Sequence, residues 1–338
     1  MHMKKSGLIL VLCTAVLTFT LLVSPFSESA FAAKTTMKIG HSMNTETFRH
    51  KSLLMFKEKV EKETEGRVTV ELYPSGQLGT EMETLEAVKL GSVEGFRSGG
   101  FEEAAPLLEI YSMPFLFTNV EGIHNITRGP LGEEIAKAAE PAGLVIIATG
   151  DSGLFRHISN NVRPITKPED MKGLKIRTPP MSTIVKTMET LGANVVSIPF
   201  VETYMALKTG VADGQENPLT NIVSMKFHEV QKYLTLVNYQ YHAEMFYVNK
   251  DWFEALSEKD RGILRAAAKE MMLMSDEIVA ADDAKCFEFL KDKMEITALT
   301  EEQHAAFVQA VQPVYDHYIK KGMFTQEMLD RMREAASR

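Results

Sequence analysis

The stretch Arg67-Val68-Thr69-Val70-Glu71-Leu72-Tyr73 sets apolar side chains at Val68, Val70 and Leu72 between polar ones and ends at Pro74. Alternation of period two marks a strand with one buried face, and proline, which has no amide proton for a ladder, closes it. Upstream, Leu53, Phe56 and Val60 share one helical face, with Lys57–Glu61 and Glu58–Lys62 pairs outside and Gly66 as the stop. Residues 37–40 read as a strand before that helix, and residues 80–90 as a second helix ending at Gly91. Strand, helix, strand, helix in this order predicts an α/β fold. The rhythm returns with strands at 144–148 and 174–176, a helix at 182–191 followed by Gly192, and a strand at 195–198. Two α/β units follow, with neither a low-complexity linker nor an internal repeat.

At the front of the chain, Lys4 and Lys5 precede an apolar run over residues 8–23 and then Ala30-Phe31-Ala32, a small-x-small signal before Ala33. This predicts a secretory signal peptide at 1–32 and a mature chain beginning near Ala33. A membrane anchor is the alternative. The run is broken by Thr14, Thr18 and Thr20 and ends at Ser24-Pro25, short of the ~20 apolar residues of a stable span. Cys13 follows Leu12, where lipoprotein processing needs a small residue. About 305 residues then remain, enough for two ordinary domains or one large two-lobed one. Cys286 would be the only mature cysteine, which excludes an intramolecular disulfide and a cysteine metal site. The formal charge of −8 becomes −9 without Lys4, Lys5 and Glu28, and the remaining Lys and Arg are scattered. That argues against nucleic acid or anionic lipid as a partner.

From Ser257, with Asp260 three residues on as in a capping box, a helix-favouring stretch runs without proline to about Leu290. At 1.5 Å per residue it spans roughly 50 Å and must touch both units. A coiled coil is the alternative, but the middle (Ala266, Ala267, Ala268, Ala280, Ala281) lacks a sustained heptad, so packing within the chain is expected. Enzyme motifs are missing: no G-x-S-x-G, no H-E-x-x-H, no phosphate-binding glycine loop and no clustered His and Cys. His41 and His50 read as ordinary surface or strand-end residues. Arg177 follows the 174–176 strand and precedes Thr178-Pro179-Pro180, the place where open α/β sheets bind ligands. Alternation alone would instead set it beside Lys175 on a solvated face.

Several phrases, in order and at fixed separations, resemble the solute-binding proteins of tripartite ATP-independent periplasmic (TRAP) transporters, the DctP family. They are Lys38-Ile39-Gly40-His41, Leu72-Tyr73-Pro74-Ser75-Gly76-Gln77-Leu78-Gly79, and Met113-Pro114-Phe115-Leu116-Phe117. Further on come Lys172-Gly173-Leu174-Lys175-Ile176-Arg177-Thr178-Pro179, Ile198-Pro199-Phe200 with Glu202-Thr203-Tyr204, and Asp213-Gly214-Gln215-Glu216-Asn217-Pro218. Phe227-His228-Glu229-Val230-Gln231-Lys232 closes the set. The resemblance implies a two-lobed periplasmic binding protein with an α/β sheet in each lobe, a long helix bracing both, and lobes that close on a ligand as a hinge. Lobe I is expected at 33–153 plus about 241–280, and lobe II at 154–240 plus about 281–338.

By the same resemblance Arg177 grips a ligand carboxylate with two teeth, Asn217 hydrogen-bonds the ligand, Arg156 is a second basic contact, and Phe200 packs a ring over it. A fork of donors matches two carboxylate oxygens, so lysine is a poor substitute at 177. Alternatives stay open: Asn217 as a helix N-cap before Pro218 and Phe200 as plain core. In the other lobe Ser42, the Glu46-Thr47-Phe48 turn, Glu81 opening a helix, and Phe96-Arg97-Ser98-Gly99-Gly100 after a third strand are candidates. Arg97 facing the cleft would favour a second anionic group or several hydroxyls; Arg97 at the surface would favour an apolar monocarboxylate. Tyr241 either lines the pocket or packs in the core. The expectation is a non-catalytic periplasmic receptor, without cofactor or metal, for an organic acid. A sugar acid (uronate or aldonate) is favoured and a C4-dicarboxylate comes second, delivered to a permease of small and large membrane subunits. A binding protein of an ATP-driven importer and a sensor-coupled receptor are the rivals.

Overall fold

A computed structural model describes residues 34–337; the expected signal peptide, with its lysines, apolar run, Cys13 and cleavage signal, lies outside the described residues. The chain begins with β1 (Thr35–Gly40), α1 (Phe48–Glu63), β2 (Val68–Tyr73), α2 (Glu81–Lys89) and β3 (Gly95–Gly99). A 3-10 segment at Pro106–Ser112 leads to α3 (Val120–Thr127), α4 (Pro130–Lys137) and β4 (Leu144–Asn160). The rhythm then repeats as β5 (Lys175–Thr178), α5 (Ser182–Thr190), β6 (Asn194–Ser197), α6 (Thr203–Lys208), β7 (Gly214–Asn217) and α7 (Leu219–Ser224). Next come β8 (Tyr233–Asn249), α8 (Lys250–Ala255), α9 (Glu258–Lys291) and β9 (Glu295–Ala298), followed by α10 (Glu301–Ala310), α11 (Gln312–Lys321) and α12 (Gln326–Ala336).

Local chemistry fixes these boundaries. Thr80 accepts from the Glu83 amide at 3.3 Å while Glu83 accepts from the Thr80 amide at 2.8 Å, a reciprocal cap that starts α2. Gly91 ends the helix with φ +74°, where a side chain would be strained. The strands join in the order β2-β1-β3-β8-β4-β7-β5-β6, with β9 parallel to the start of β8. Both expected α/β units are therefore present, β1–β3 at one end and β5–β7 at the other.

What joins them departs from expectation. The 144–148 strand is only the opening of β4, a 17-residue strand that pairs antiparallel with β8, also 17 residues. The ladder shifts register between Ile146 and Ala148, between Asp151 and Phe155, and between Arg156 and Ile158. At the middle shift Gly153 and Leu154 take φ +105° and +68°. Each bulge resets the period-two pattern, so the apolar alternation that reveals β2 is scrambled here. Two smaller corrections follow. Residues 96–100 do not follow the third strand, because Gly95–Gly99 is that strand and is buried throughout. Arg177 lies inside β5, fully buried, while Lys175 on the same face reaches out to Gly210 O at 2.6 Å.

The long helix forms as expected, 34 residues from a Ser257 cap, or about 51 Å at the standard rise. Asp260 accepts the Ser257 hydroxyl at 2.8 Å and the Arg67 guanidinium at 2.8 Å, tying the start of α9 to the entry of β2. Its first half packs Leu264, Ala267, Ala268 and Met271 with Leu53, Phe56, Val60 and Phe246. Further along, Val279 and Leu290 join Phe200, Phe227 and Leu234, so one helix serves both ends of the sheet. Cys286 on α9 is half-buried, and burial, with Asp282 and Asp283 beside it, pushes its thiol up to about 11.

A buried carboxyl links the 3-10 segment to α5. Glu109 Oε2 accepts the Thr183 amide at 3.1 Å and the Thr183 hydroxyl. Desolvation pushes it up to about 7 despite those bonds. An unfolded glutamate releases its proton near ~4.3, so this stabilising contribution is full below that pH and is lost as pH rises to about 7. Glu109→Gln is expected to remove that slope. In urea titrations at pH 5 and 7.5 the parent should lose more stability than the variant; equal losses would show that Glu109 titrates alike folded and unfolded. At the core, Phe246 meets Phe56 edge-on at 5.1 Å, and Phe246→Ala should cost about 3–5 kcal/mol in the same assay.

Candidate functional site

The carboxyl ends of β1, β3, β5 and β7 meet the middle of β4 and β8 around a narrow cavity of about 30 Å³. That volume admits a water molecule or two, so an organic acid enters only when the walls separate. Arg177, at the end of β5, hydrogen-bonds Ile198 O through Nε at 2.9 Å and Nη2 at 2.6 Å. This spends one edge of the guanidinium and fixes its plane, with the Phe200 ring centroid 5.8 Å from its central carbon. Nη1 is buried without a partner, leaving the Nη1–Nη2 edge free for a bidentate acceptor. Burial lowers the Arg177 pKa to about 10, against the opposing pull of Glu216 and Glu81, and the group stays cationic at neutral pH.

Arg156 on β4 is held differently. It forms an ion pair with Glu216 on β7, donates Nη2 to the Glu216 carbonyl at 2.8 Å, and lies 3.4 Å from Asn217 Oδ1. Burial alone would lower its pKa, but the paired carboxylate outweighs burial and raises it. Asn217 donates to Gln215 Oε1 at 2.5 Å and accepts from Asn221 at 3.1 Å. It does not cap α7, whose cap position is Pro218. Phe200 lines the cavity and also meets Phe227 edge-on at 6.1 Å, so the two readings of this ring hold together. From the opposite side, Glu81 at the start of α2 accepts the Ser42 hydroxyl at 2.8 Å and the Ser98 hydroxyl at 2.9 Å. Six expected residues thus share one cavity: Ser42, Glu81, Arg156, Arg177, Phe200 and Asn217.

Arg97 and Tyr241 do not line it. Ser98 takes the cleft face of β3, so alternation turns Arg97 toward α1 and α9. There it pairs with Glu244 at 2.7 Å and donates to Ser275 Oγ at 2.6 Å and Arg49 O at 3.1 Å. Neither the cleft nor the surface reading of Arg97 holds. Tyr241 donates to Asp151 and lies edge-on between Phe117 and Phe155, both at 6.1 Å, which is core.

Residues outside the expected set complete the site. Arg49, in the first turn of α1, pairs with Glu244 and donates to Ser152 Oγ at 3.1 Å and, weakly, to Ser42 Oγ at 3.4 Å. A cation in a first turn that contains no acidic residue opposes the helix dipole, and that mismatch is the signal the sequence offered. His242 also lines the cavity, its Nδ1 unpartnered; burial, then Arg156 and Arg49, depress its pKa far below 6.5, so the ring is neutral. A Cβ at Gly99 would sit 2.1 Å from His242 Nε2, so glycine alone fits there. His41 and His50, 3.1 Å apart, flank the α1 entry, and burial depresses His41 to about 2. Elsewhere His124, Asp151 and Asp276 gather within 4.8 Å of one another, but Arg128 already reaches Asp276 at 2.8 Å and Tyr241 reaches Asp151. Protein donors already occupy these carboxylates.

Known proteins share the family and the fold of this chain. The family described as bacterial extracellular solute-binding protein, family 7, matches residues 39–321. A solute-binding protein of Verminephrobacter eiseniae is 36% identical over 308 residues, covering 90% of each chain. The C4-dicarboxylate-binding periplasmic protein DctP of Rhodobacter capsulatus is 33% identical, covering 89% of this chain and 92% of its own. The crystal structure of a TRAP periplasmic solute-binding protein from Polaromonas, bound to D-erythronate, superposes with a TM-score of 0.84. It is 30% identical and covers 89% of this chain and 98% of its own. Such proteins are two-lobed α/β receptors for organic acids, not enzymes. The chain belongs to the bacterial extracellular solute-binding protein family 7, the receptors of TRAP transporters.

Proposed function

We propose that this protein is an exported, periplasmic receptor that captures a sugar acid, an aldonate or uronate, and delivers it to a TRAP permease of small and large membrane subunits. The observation that carries the reading is the free Nη1 of Arg177, opposed across the cavity by the Glu81 carboxylate. Direct ion pairs take up Arg49 and Arg97 on Glu244 and Arg156 on Glu216, which leaves Arg177 without a carboxylate partner, and a ligand carboxylate supplies one. A carboxylate such as Glu81 accepts hydroxyl protons and repels a second anionic group, which suits a polyhydroxy monoacid. Asn217 and Arg156 are assigned to the ligand's other oxygens, with Phe200 against its carbon chain.

A second reading rests on Arg49, whose cationic head faces the cavity from the Glu81 side with only serine hydroxyls on its Nη atoms. A C4-dicarboxylate would then bridge Arg177 and Arg49 across the cavity. Entry is assigned to hinge opening at the register shift between Asp151 and Phe155. The lobes would be 33–153 with about 241–280, and 154–240 with about 281–338.

Arg177→Ala should lose binding of D-erythronate and related aldonates by more than ~100-fold, since removing one partner of a buried charge pair costs about 3–5 kcal/mol. Circular dichroism should be unchanged, and Arg177→Lys should recover little. Undiminished affinity in titration calorimetry would remove Arg177 from the site. Glu81→Gln separates the two ligand classes: aldonate affinity should fall at least ~10-fold while succinate binding stays level or improves. Tighter succinate binding with aldonate affinity unaffected would move the assignment to dicarboxylates.

A further inference from the structure

A second cavity lies away from the cleft: a groove of about 450 Å³ on the far side of β4, walled by α4 and by the first half of α9. Its floor is residues 145–149 of β4. These pair with β8 along one side, whereas β7, the strand on the other side of β4, reaches only residues 157–160. The groove therefore runs along a sheet edge that has no strand partner among the described residues, with the outward row of N–H and C=O groups stepped once at the register shift between Ile146 and Ala148. Just beyond, Asp276 on α9 accepts the Asp151 amide at 2.8 Å, and there the helix closes the edge off. Over 145–149 the walls stand apart by enough to form a channel of that volume, about 16 Å long at the rise of a strand.

The charge of the channel names its occupant. Arg128 is spent on Asp276 at 2.8 Å, and Glu140 approaches Lys250 at 3.9 Å. Lys137 on α4 and Arg265 and Lys269 on α9 remain, exposed, against Glu133. Arg265 lies over the Phe253 ring at 4.9 Å, and among the described residues neither Lys137 nor Lys269 forms an ion pair. Cations thus stand on both walls of a protein whose formal charge is −8. Between them Leu273, 38% exposed, offers an apolar contact.

We infer that this edge of β4 is a docking site for an extended acidic segment of a partner protein, which adds to the sheet as a further strand. Backbone bonds to 145–149 supply affinity, and acidic side chains reach Lys137 on one wall and Arg265 with Lys269 on the other. A second copy is a poor occupant, because pairing two such edges sets like charges against each other. This goes beyond the capture of a solute: a receptor that hands over its cargo must be read by another protein, and this face lies outside the cleft.

The test uses the mature chain and a fluorescent heptapeptide of alternating Glu and Val, with a Lys/Val counterpart and a Glu/Pro counterpart that lacks the donors. Binding of the Glu/Val peptide alone is expected, with slowed amide exchange at 145–149 and at least a tenfold loss in the double variant K137E/K269E. That variant should still show an unchanged thermal shift with aldonates, which separates this site from the cleft. No binding, equal binding of the Lys/Val peptide, or protection elsewhere would overturn the proposal. Self-association of the parent, competed by the peptide in sedimentation, would assign the edge to a second copy instead. Self-association of the charge-reversed variant without peptide binding to the parent would show that the cations only guard the edge.

Discussion

Two buried carboxylates, Glu216 on β7 and Glu244 on β8, hold three guanidinium groups in the middle of the sheet. Charges removed from water are tolerated only when paired and hydrogen-bonded, and here the pairing dictates the local architecture. Glu244 ties Arg49 of α1 to Arg97 of β3, and Ser275 adds a contact from α9. Glu216 aligns Arg156 beside Asn217 and accepts the Tyr239 hydroxyl at 2.5 Å. With those arginines paired to carboxylates, Arg177 keeps a donor edge at the cavity with no ion pair. The site is thus a residual left by an otherwise balanced network.

The long pair β4 and β8 makes that balance attainable. Because both strands run through the two halves, residues far apart in sequence, such as Arg156 and Glu216 or Arg97 and Glu244, meet on neighbouring strands. The bulges that bend β4 bring Ser152 and Arg156 to the cavity while Asp151 and Tyr241 turn into the core. Gly153 supports this geometry: a Cβ there would lie 2.8 Å from Thr220 Oγ1, in addition to the strain of its φ.

Legibility in the sequence followed the regularity of the local pattern. The β2 alternation, the 80–90 helix with its Gly91 stop, the Ser257 cap and the amphipathic face of α1 are short-range signals, and each became the element it foretold. The bulged β4 and the polar-rich β8, which buries Gln240, His242 and Glu244, lack a clean period. They were therefore seen in part or not at all. Among residues that line the cavity, those within family phrases (Arg177, Asn217, Phe200) were readable, and Ser42 and Glu81 followed from their place after a strand and at a helix start. Arg97 misled because strand parity, not proximity to a turn, decides which face an arginine takes. Arg49 was missed because its partner Glu244 is 195 positions away in the chain.

The half-buried thiol of Cys286 has a use outside the biology of the chain. With its pKa raised to about 11, it is almost wholly protonated at neutral pH, and thiols react as thiolates. Maleimide dyes should discriminate against it in favour of exposed cysteines introduced on the rims of the two sheet halves. Energy-transfer distances between such a pair would follow opening and closing directly, in a background that Cys286, the one cysteine in residues 33–338, already keeps nearly silent.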